Sequence, residues 1–377
     1  MRYNSLIIED FMMVDKQFES ITWYNNEFRL TEMFKILQET VEKNSPWHRE
    51  KNVGIHTDMV VAQYLANMAA GDLVGQEAIL GFMACAFHDV GKPAARQEKF
   101  KPERGHYVAF NGHELISARM WEDFAVSNWD NLTFINDDVM NIYRVAWLIE
   151  YHLPWDIKDS EKRSYLAKTL ISEKMVSAFL QVLYADNRGR ISDDREARFA
   201  KVDAWMEEFW NLVHSTSLDE TSPGQPTLYL PIGPSGSGKS TYRVSLGDIN
   251  AFSLDDLRHE FYHSTDYRKA YKMSVEDSKF SGKANARFVE LIRTGEPLFV
   301  DNTNLTKKRR RQYIIEARRR GYKIHAILFP NTLQTLLDRQ FTRGDKVVPE
   351  DAVRQQYNSL QLPSLGEVDS VEVIKQW

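Results

Sequence analysis

The stretch LPIGPSGSGKSTY, residues 230–242, fits the pattern G-x-x-x-x-G-K-[ST]. In this pattern, glycines let backbone N–H groups approach the phosphates of a nucleotide. Lys239 would reach the β- and γ-phosphate oxygens, and the Ser240 hydroxyl would bind Mg²⁺. The apolar run TLYLPI is typical of a strand and the residues after the loop of a helix. The predicted ATP-binding residues are Gly233, Ser235, Gly236, Ser237, Gly238, Lys239, Ser240, Thr241 and, from a later segment, Arg343.

Beyond this loop the apolar pattern predicts alternating strands and helices. The short runs NAFSL, PLFVDN and KIHAILF are separated by helical patterns at 274–294 and 306–320, and SVEVI adds a last strand. Such alternation favours a parallel sheet flanked by helices. Residues 227–377 are therefore predicted to form an α/β domain.

The first half of the chain has a different pattern. Apolar residues recur at helical spacing in 60–68, 76–87, 138–152 and 170–185, which predicts an all-α bundle over residues 1–213. The stretch HSTSLDETSPGQP, residues 214–226, has the composition of a linker. A length of 377 residues also favours a multidomain protein.

Composition excludes several classes of protein. The net charge of −5 excludes a protein that is strongly basic overall, although local patches of Lys and Arg can still bind nucleic acid. The single cysteine, Cys85, excludes a disulfide within the chain and fits a reducing cytosol. Glu9 and Asp10 interrupt the apolar LII at residues 6–8, so neither a signal peptide nor a membrane span is predicted. We expect a cytoplasmic protein, and leave open whether it forms a homo-oligomer.

Three segments after the loop offer side chains for phosphoryl transfer. FSLDDLRHEF places Asp255 at the end of a predicted strand, where it can accept a proton from an attacking hydroxyl, and Arg258 one turn on, where it can clamp the acceptor. The alternative is a helix-capping Asp with a surface Arg. Asp301 ends the predicted strand in PLFVDNTN, residues 297–304, and would hold Mg²⁺ through water. Arg339 and Arg343 share one helix face and would close as a lid over the transferring phosphate.

These segments resemble the 5′-OH polynucleotide kinase domain of the phage end-healing enzyme and its bacterial relatives. The matching pieces are GPSGSGKSTY, DDLR, DNTNL and RQFTRGDKVVP, within residues 227–358. The resemblance implies that Asp255 is the general base, Arg258 the acceptor clamp, and Arg339 with Arg343 the lid arginines. DNTNL has one residue more than the phage pattern, which leaves the role of Asp301 open.

Histidines and aspartates are concentrated at predicted helix ends in the first half. Imidazole and carboxylate together suit Mn, Fe, Co, Ni or Zn. A histidine taken alone is more often a satisfied core residue, which is how we interpret His48. The candidate metal ligands are His56, His88, Asp89, His113, His152 and Asp186.

The order of these six residues resembles the HD phosphohydrolase superfamily. HDVGKP and GHYVAFNGHE are similar in particular to the HD domain of some bacterial tRNA nucleotidyltransferases. The resemblance implies that the first His, the HD pair and the last Asp hold one metal. His113 and His152 would hold a second, with Asp89 bridging. Two such cations can activate a water for attack on a phosphate.

Further polar residues allow two interpretations each. Lys92 and His106 are candidates for contacting the phosphoryl group or protonating the leaving oxygen; Lys92 is alternatively a solvated charge at a helix end. The basic run TKKRRRQ, residues 306–312, is continued by 318–320. It either contacts the phosphate backbone of a nucleic acid or forms a solvated helix face.

An HD domain followed by such a kinase resembles the HD-Pnk family of RNA-repair enzymes. This implies phosphorylation of 5′-OH ends of RNA or DNA and hydrolysis of a 2′,3′-cyclic or terminal phosphate. No K-x-D-G segment is present, so an RNA ligase would act in trans. Two alternatives stay open: a nucleoside or nucleotide kinase joined to a nucleotide phosphohydrolase, and a nucleotide-switched binding protein.

Overall fold

The computed structural model describes residues 2–375, except 44, 46, 47, 71, 72, 74, 104, 155, 156, 158 and 219–223. The chain divides into two compact units, residues 1–218 and 219–377. The last helix of the first unit extends to Ser215, so the first two residues of the predicted linker 214–226 are helical. Residues 219–223 of that linker lie outside the described part. None of the described helices is long and apolar enough to cross a membrane.

The first unit is mainly helical, as predicted. An antiparallel hairpin of β1 (Gln97–Lys101) and β2 (Gly105–Ala109) was not predicted, because within it only Val108 is buried and the hydrophobic signal is weak. Helices α1 to α10 cover Arg2–Asn26, Glu32–Glu39, Val53–Ala69, Gly75–Phe87, Lys92–Ala95, His113–Ser127, Met140–Glu150, Ser160–Ser172, Val176–Arg188 and Arg195–Ser215.

Helix α4 lies in the core of the first unit. Its ten residues 78–87 are all buried, and Phe87 at its end packs on the rings of Phe28 and Trp121, with centroids 4.6 and 4.9 Å apart. A buried Phe contributes about 1.5–3 kcal/mol relative to an exposed one. This packing fixes the position of the two residues that follow α4, His88 and Asp89.

The second unit contains a parallel five-stranded sheet, as predicted. The strands are β3 (Thr227–Ile232), β4 (Asn250–Phe252), β5 (Leu298–Val300), β6 (Lys323–Leu328) and β7 (Ser370–Val373), in the order β4-β5-β3-β6-β7. Helices α11 to α17 cover Lys239–Ser245, Leu254–Tyr262, Tyr267–Glu276, Phe280–Ile292, Lys307–Arg318, Leu333–Gln340 and Glu350–Asn358. Because β3 is central, its carboxyl end opens onto the crevice where open parallel sheets bind ligands.

Two predicted helices are each two helices in the structure. Residues 170–185 span α8 and α9, which are separated by a turn with Lys174 in the left-handed region, φ 55°. Residues 274–294 span α13 and α14, between which Asp277 Oδ1 accepts a hydrogen bond from Lys279 N at 2.8 Å. Apolar residues recur at helical spacing on both sides of each turn, because the helices before and after it both have a buried face. Periodicity alone therefore does not predict either turn.

Candidate active sites

The phosphate-binding loop lies between β3 and α11. Gly236 and Gly238 have φ angles of 92° and 97°, a left-handed conformation that glycine adopts without strain. Lys239 begins α11 and is buried. Its Nζ donates hydrogen bonds to the Gly233 and Pro234 carbonyls at 2.9 and 2.7 Å. The loop therefore curls around the lysine amine.

The charge of Lys239 is sensitive to its surroundings. Burial lowers the pKa of its amine to about 8, and the charge of Arg343 acts in the same direction, against the opposing charges of Asp301 and Asp255. Arg343, Asp301 and Asp255 therefore lie close enough to Lys239 to shift the pKa of its amine. Ser240 and Thr241, by contrast, have exposed side chains.

Helix α16 supports the loop from one side. Arg339 Nη1 donates to Gly236 O at 3.1 Å and to Asn331 Oδ1 at 2.9 Å. Gln340 Nε2 donates to Ser235 O at 3.1 Å. Helix α16 ends at Gln340 and Arg343 lies in the turn after it, so the prediction that Arg339 and Arg343 share one helix face is wrong. The structure thus brings the predicted lid segment against the predicted phosphate loop.

Asp255 and Arg258 form an ion pair at the start of α12. Arg258 Nη1 donates to Asp255 Oδ1 at 2.6 Å and its Nε donates to Ser274 Oγ at 3.0 Å. The capping alternative is wrong, because Ser253 is the N-cap and accepts from Asp256 N at 3.1 Å. Arg258 is not a surface residue either, since its side chain is 15% exposed.

Asp301 follows β5 and is paired with an arginine. Its Oδ2 accepts a hydrogen bond from Arg243 Nη1 at 3.1 Å. Burial raises the pKa of this carboxyl, while the charges of Arg243 and Lys239 oppose the shift. Asn304 Nδ2 donates to the Pro231 and Val300 carbonyls at 2.9 and 3.0 Å, so the DNTNL segment joins the ends of β3 and β5. The role of Asp301 in Mg²⁺ binding stays a prediction.

The structure brings the six predicted metal ligands together in the first unit. They come from five places: His56 in α3, the pair after α4, His113 at the start of α6, His152 after α7, and Asp186 near the end of α9. All six are buried. Two triads have ligand atoms within 4.8 Å of one another: His56, His88 and Asp186, and Asp89, His113 and His152.

Asp89 contacts both triads. Its Oδ1 lies 3.1 Å from His113 Nε2 and its Oδ2 lies 3.2 Å from His88 Nε2. One carboxylate therefore lies within reach of histidines from both triads, and its bridging role stays a prediction.

The backbone fixes which ring nitrogen of each histidine faces the cluster. The Nδ1 atoms of His56, His88, His113 and His152 lie 2.7–3.1 Å from the carbonyl oxygens of Gly189, Cys85, Phe110 and Ile149. A carbonyl accepts only, so each Nδ1 must donate and each Nε2 faces the cluster, which is the orientation found in metal-binding histidines.

These Nε2 atoms lie close to one another in a buried space. Nε2 of His56 is 3.4 Å from Nε2 of His88, and Nε2 of His113 is 3.3 Å from that of His152. Burial and the charges of His113 and His88 lower the pKa of His152 to about 3. The His152 imidazole is therefore neutral near pH 7. Imidazole nitrogens and carboxylates together form a donor set that fits metal ions favouring nitrogen and carboxylate ligands.

Lys92 is buried beside this cluster. Its Nζ lies 2.7 Å from Asp89 Oδ2 and also donates to Glu42 Oε1. Burial opposes its charge, but the carboxylates of Asp89 and Glu42 raise the pKa of the amine above its usual value. The interpretation of Lys92 as a solvated charge is therefore wrong. His106 lies on the exposed face of β2 with its ring 5.1 Å from that of Phe100, unlike the six buried ligands.

Sequence analysis missed several residues that hold these side chains. Arg190 donates to Asp186 Oδ2, and its Nε donates to Asp186 O at 2.9 Å; its position four residues after Asp186 in a helix-end segment was the available signal. Glu42 and Gln340 carry no such signal, because they reach their partners across long stretches of sequence.

His48 lies beside the cluster and is 13% exposed in its side chain. Burial and the charge of Lys92 lower the pKa of its imidazole to about 4. With Glu50 and His56 it forms a third triad of potential ligands, but His56 Nδ1 in that triad already faces Gly189 O.

The basic run in α15 is partly structural. Arg310 is fully buried, and it bonds to Glu367 Oε1 at 2.7 Å and to the Gln361 carbonyl at 2.9 Å. Arg318 pairs with Asp369 at 3.2 Å. The interpretation of the whole run as a solvated face is therefore wrong, although Lys308 and Arg309 are exposed.

Comparisons with known proteins find a family, a viral relative and a solved structure similar to part of this chain. The family model described as an AAA domain matches residues 228–363. A protein of Autographa californica nuclear polyhedrosis virus, by its assigned name a bifunctional polynucleotide kinase/RNA ligase, is 28% identical over 144 residues, which cover 36% of this chain and 21% of the viral protein. The match thus spans about a fifth of that relative.

Among solved structures, a gluconokinase from Sinorhizobium meliloti 1021 is 21% identical and covers 40% of this chain and 84% of its own, with a TM-score of 0.30. The loop sequence, the parallel strand order and the AAA domain match identify the second unit as an α/β domain of the P-loop kinase type.

Proposed function

We propose that this chain heals both ends of broken RNA, like the HD-Pnk family it resembles. The second unit phosphorylates a 5′-OH end, and the first unit hydrolyses a 2′,3′-cyclic or terminal phosphate. The observation that carries the kinase half is the ion pair of Asp255 and Arg258 beside the phosphate loop. A phosphate loop alone provides nucleotide binding, whereas a carboxylate and an arginine at the strand ends provide for an acceptor.

In the kinase reaction, backbone N–H groups of the loop and Lys239 hold the phosphates of ATP. Ser240 and Asp301 would hold Mg²⁺, which neutralises phosphate charge when bound. Asp255 accepts the proton of the attacking 5′-OH, and Arg258 clamps the acceptor. Arg343 and Arg339 stabilise the charge that develops on the transferred group.

In the hydrolase, the two triads would hold two transition-metal cations. Such cations supply Lewis acidity and an activated water when bound. The chain itself contributes orientation, because four backbone carbonyls fix the imidazole rings. Lys92, held between Asp89 and Glu42, provides a positive charge beside the cluster for an incoming phosphate.

The name of the viral relative supports a polynucleotide acceptor over a free nucleoside. We further propose that an RNA ligase acts on the healed ends in trans.

One RNA substrate tests both halves. An oligonucleotide with a 5′-OH and a 2′,3′-cyclic phosphate is incubated with ATP, Mg²⁺ and Mn, Fe, Co, Ni or Zn in turn, and both ends are analysed. We expect wild type to process both ends, Lys239→Ala to lose only 5′ phosphorylation, and Asp89→Ala to lose only hydrolysis of the cyclic phosphate. A cyclic end that survives every metal contradicts the hydrolase half; equal phosphorylation of free nucleosides and oligonucleotides contradicts the polynucleotide half.

A further inference from the structure

Helix α13 lies beside the Asp255 and Arg258 pair and presents aromatic rings. Its sequence is YRKAYKMSVE, and Ala270 and Ser274 are its buried residues. Tyr271 is 48% exposed. Tyr267 and Tyr271, one turn apart, are stacked with their ring centroids 6.3 Å apart and an interplanar angle of 29°. The helix therefore packs through small residues and leaves Tyr271 exposed and Tyr267 half-buried beside it.

These rings are close to the groups assigned to the acceptor. The Arg258 guanidinium lies over the Tyr271 ring at 5.0 Å from its centroid, and Arg258 also bonds to Ser274 of the same helix. Burial raises the pKa of the Tyr267 hydroxyl, and the charge of Asp255 raises it further. The charges of Arg258 and Arg343 lower this pKa. The tyrosine pair thus adjoins the carboxylate that would activate the 5′-OH.

The same helix carries cations. Arg268, Lys269 and Lys272 are exposed, and within the described part of the chain none of them forms an ion pair. The basic run of α15 differs, because Arg310 and Arg318 are held by Glu367 and Asp369. In a chain of net charge −5, α13 is therefore a local positive surface whose charges are available to a ligand.

Aromatic rings interleaved with unpaired cations suit one class of partner. Single-stranded nucleic acids bind by stacking bases on aromatic side chains while cations contact the phosphates. Both tyrosine hydroxyls also lack a hydrogen-bond partner among the described residues.

We propose that α13 is the docking surface for the single-stranded 5′ end of the polynucleotide acceptor. Tyr267 and Tyr271 stack on the first bases, and Arg268, Lys269 and Lys272 contact the phosphates that follow. This proposal rests on the kinase function proposed above, and it explains how a kinase of this kind would favour a polymer end over a free nucleoside.

The stacking half is tested by substitution in both protein and substrate. The steady-state KM of the full chain for a 5′-OH single-stranded RNA is measured at saturating ATP. The double variant Tyr267→Leu/Tyr271→Leu should raise KM at least about 5-fold, since stacking on one base accounts for a change of this order. Tyr267→Phe/Tyr271→Phe keeps the rings and should restore the wild-type value.

A substrate without its first two bases separates stacking from a disturbed Arg258. Wild type should show a raised KM for this abasic RNA, and the leucine variant should add no further increase, because the two changes remove one interaction. Independent, additive effects would contradict stacking.

The charge half has its own measurement. For single strands, each phosphate contact contributes about 0.7 to the slope of log affinity against log salt concentration. The triple variant Arg268→Gln/Lys269→Gln/Lys272→Gln should therefore reduce the salt slope of log KM by about 2. Arg287→Gln in α14, an exposed arginine paired with Glu290, is the matched control and should leave the slope unchanged.

The outcomes separate the two proposals. Unchanged KM and salt slope in the α13 variants, with oligonucleotide phosphorylation intact in wild type, would overturn the docking surface alone. A wild-type chain that phosphorylates no oligonucleotide would overturn the kinase proposal itself.

Discussion

Asp255 and Asp256 are adjacent carboxylates with different surroundings. Asp255 is paired with Arg258 at 2.6 Å and its side chain is 37% exposed. Asp256 is 65% exposed and its nearest cation is Arg243 at 3.8 Å. Asp255 therefore has the arginine partner and the partial burial expected of a general base, whereas Asp256, a residue of equal charge, does not.

This difference predicts unequal losses. Asp255→Asn should lower kcat for 5′ phosphorylation about 100-fold or more, the range for loss of a general base, while Asp256→Asn should stay close to wild type. Product formation on a 5′-OH oligonucleotide measures both, and hydrolysis of the cyclic phosphate serves as a folding control. Similar losses in the two variants would remove the special role of Asp255.

Lys239 should couple ATP binding to proton uptake. Its pKa of about 8 in the free protein means that the amine loses its proton as the pH rises through 8, and phosphates restore it by favouring the charged form. At pH 8.5 we expect uptake of about 0.8 proton per ATP bound, the deprotonated fraction for that pKa. Calorimetry in buffers of different ionisation enthalpy measures this uptake.

Lys239→Met removes the titrating amine and is the control. Any ATP binding that remains should show no proton uptake at pH 8.5. An unchanged uptake would assign the proton to another group.

Sequence could indicate the side chains of both sites but not what holds them. Asp255 and Arg258, like the His and Asp ligands, occur in short motifs whose spacing carries chemical meaning. Glu42 pairs with Lys92 beside the candidate ligands, yet a lone Glu fifty residues from its partner has no distinctive pattern. Its role depends on burial and distance, which periodicity does not report.

Among the elements, α15 shows how a charge run divides into two roles. Arg310 faces inward, where Glu367 and backbone carbonyls surround its guanidinium, whereas Arg309 faces solvent. Removing one partner of a buried ion pair leaves an uncompensated charge, which is strongly destabilising.

Substitution of these neighbours should give very different stabilities. Arg310→Leu should lower the free energy of unfolding of the second unit by about 3–5 kcal/mol, and Arg309→Leu by about 0.5 kcal/mol or less. Urea denaturation followed by circular dichroism measures both. Equal stability of the two variants would show that Glu367 is solvated in solution.

Helix existence was easier to predict than helix ends. The α8–α9 turn depends on Lys174 in a left-handed conformation. Lysine adopts this conformation only at a cost in free energy, so the sequence gives no signal for the turn. Hairpin β1–β2 is likewise short and mostly exposed. In both places local packing, rather than propensity, decides the structure.

For the molecule as a whole, two different ligands are expected to stabilise the chain through separate residues. A ligand that binds only the folded state stabilises it by about 2.7 kcal/mol at a hundred times its Kd. ATP with Mg²⁺ should raise the Tm of wild type but not of Lys239→Met, and Mn²⁺ should raise it for Lys239→Met but not for Asp89→Ala. Scanning calorimetry measures the shifts. Loss of both shifts in one variant would show that the two ligands depend on common residues.

The strand β7 and the segment before it have a practical consequence for dividing the chain. The kinase motifs end by residue 358, yet Gln361, Glu367 and Asp369 hold Arg310, Arg318 and the backbone of Ile324. A recombinant kinase fragment ending at residue 358 would retain every proposed catalytic side chain and still misfold, because an edge strand and the counter-ion of a buried guanidinium would be missing. Fragments meant for activity or crystallisation should therefore run at least through Val373.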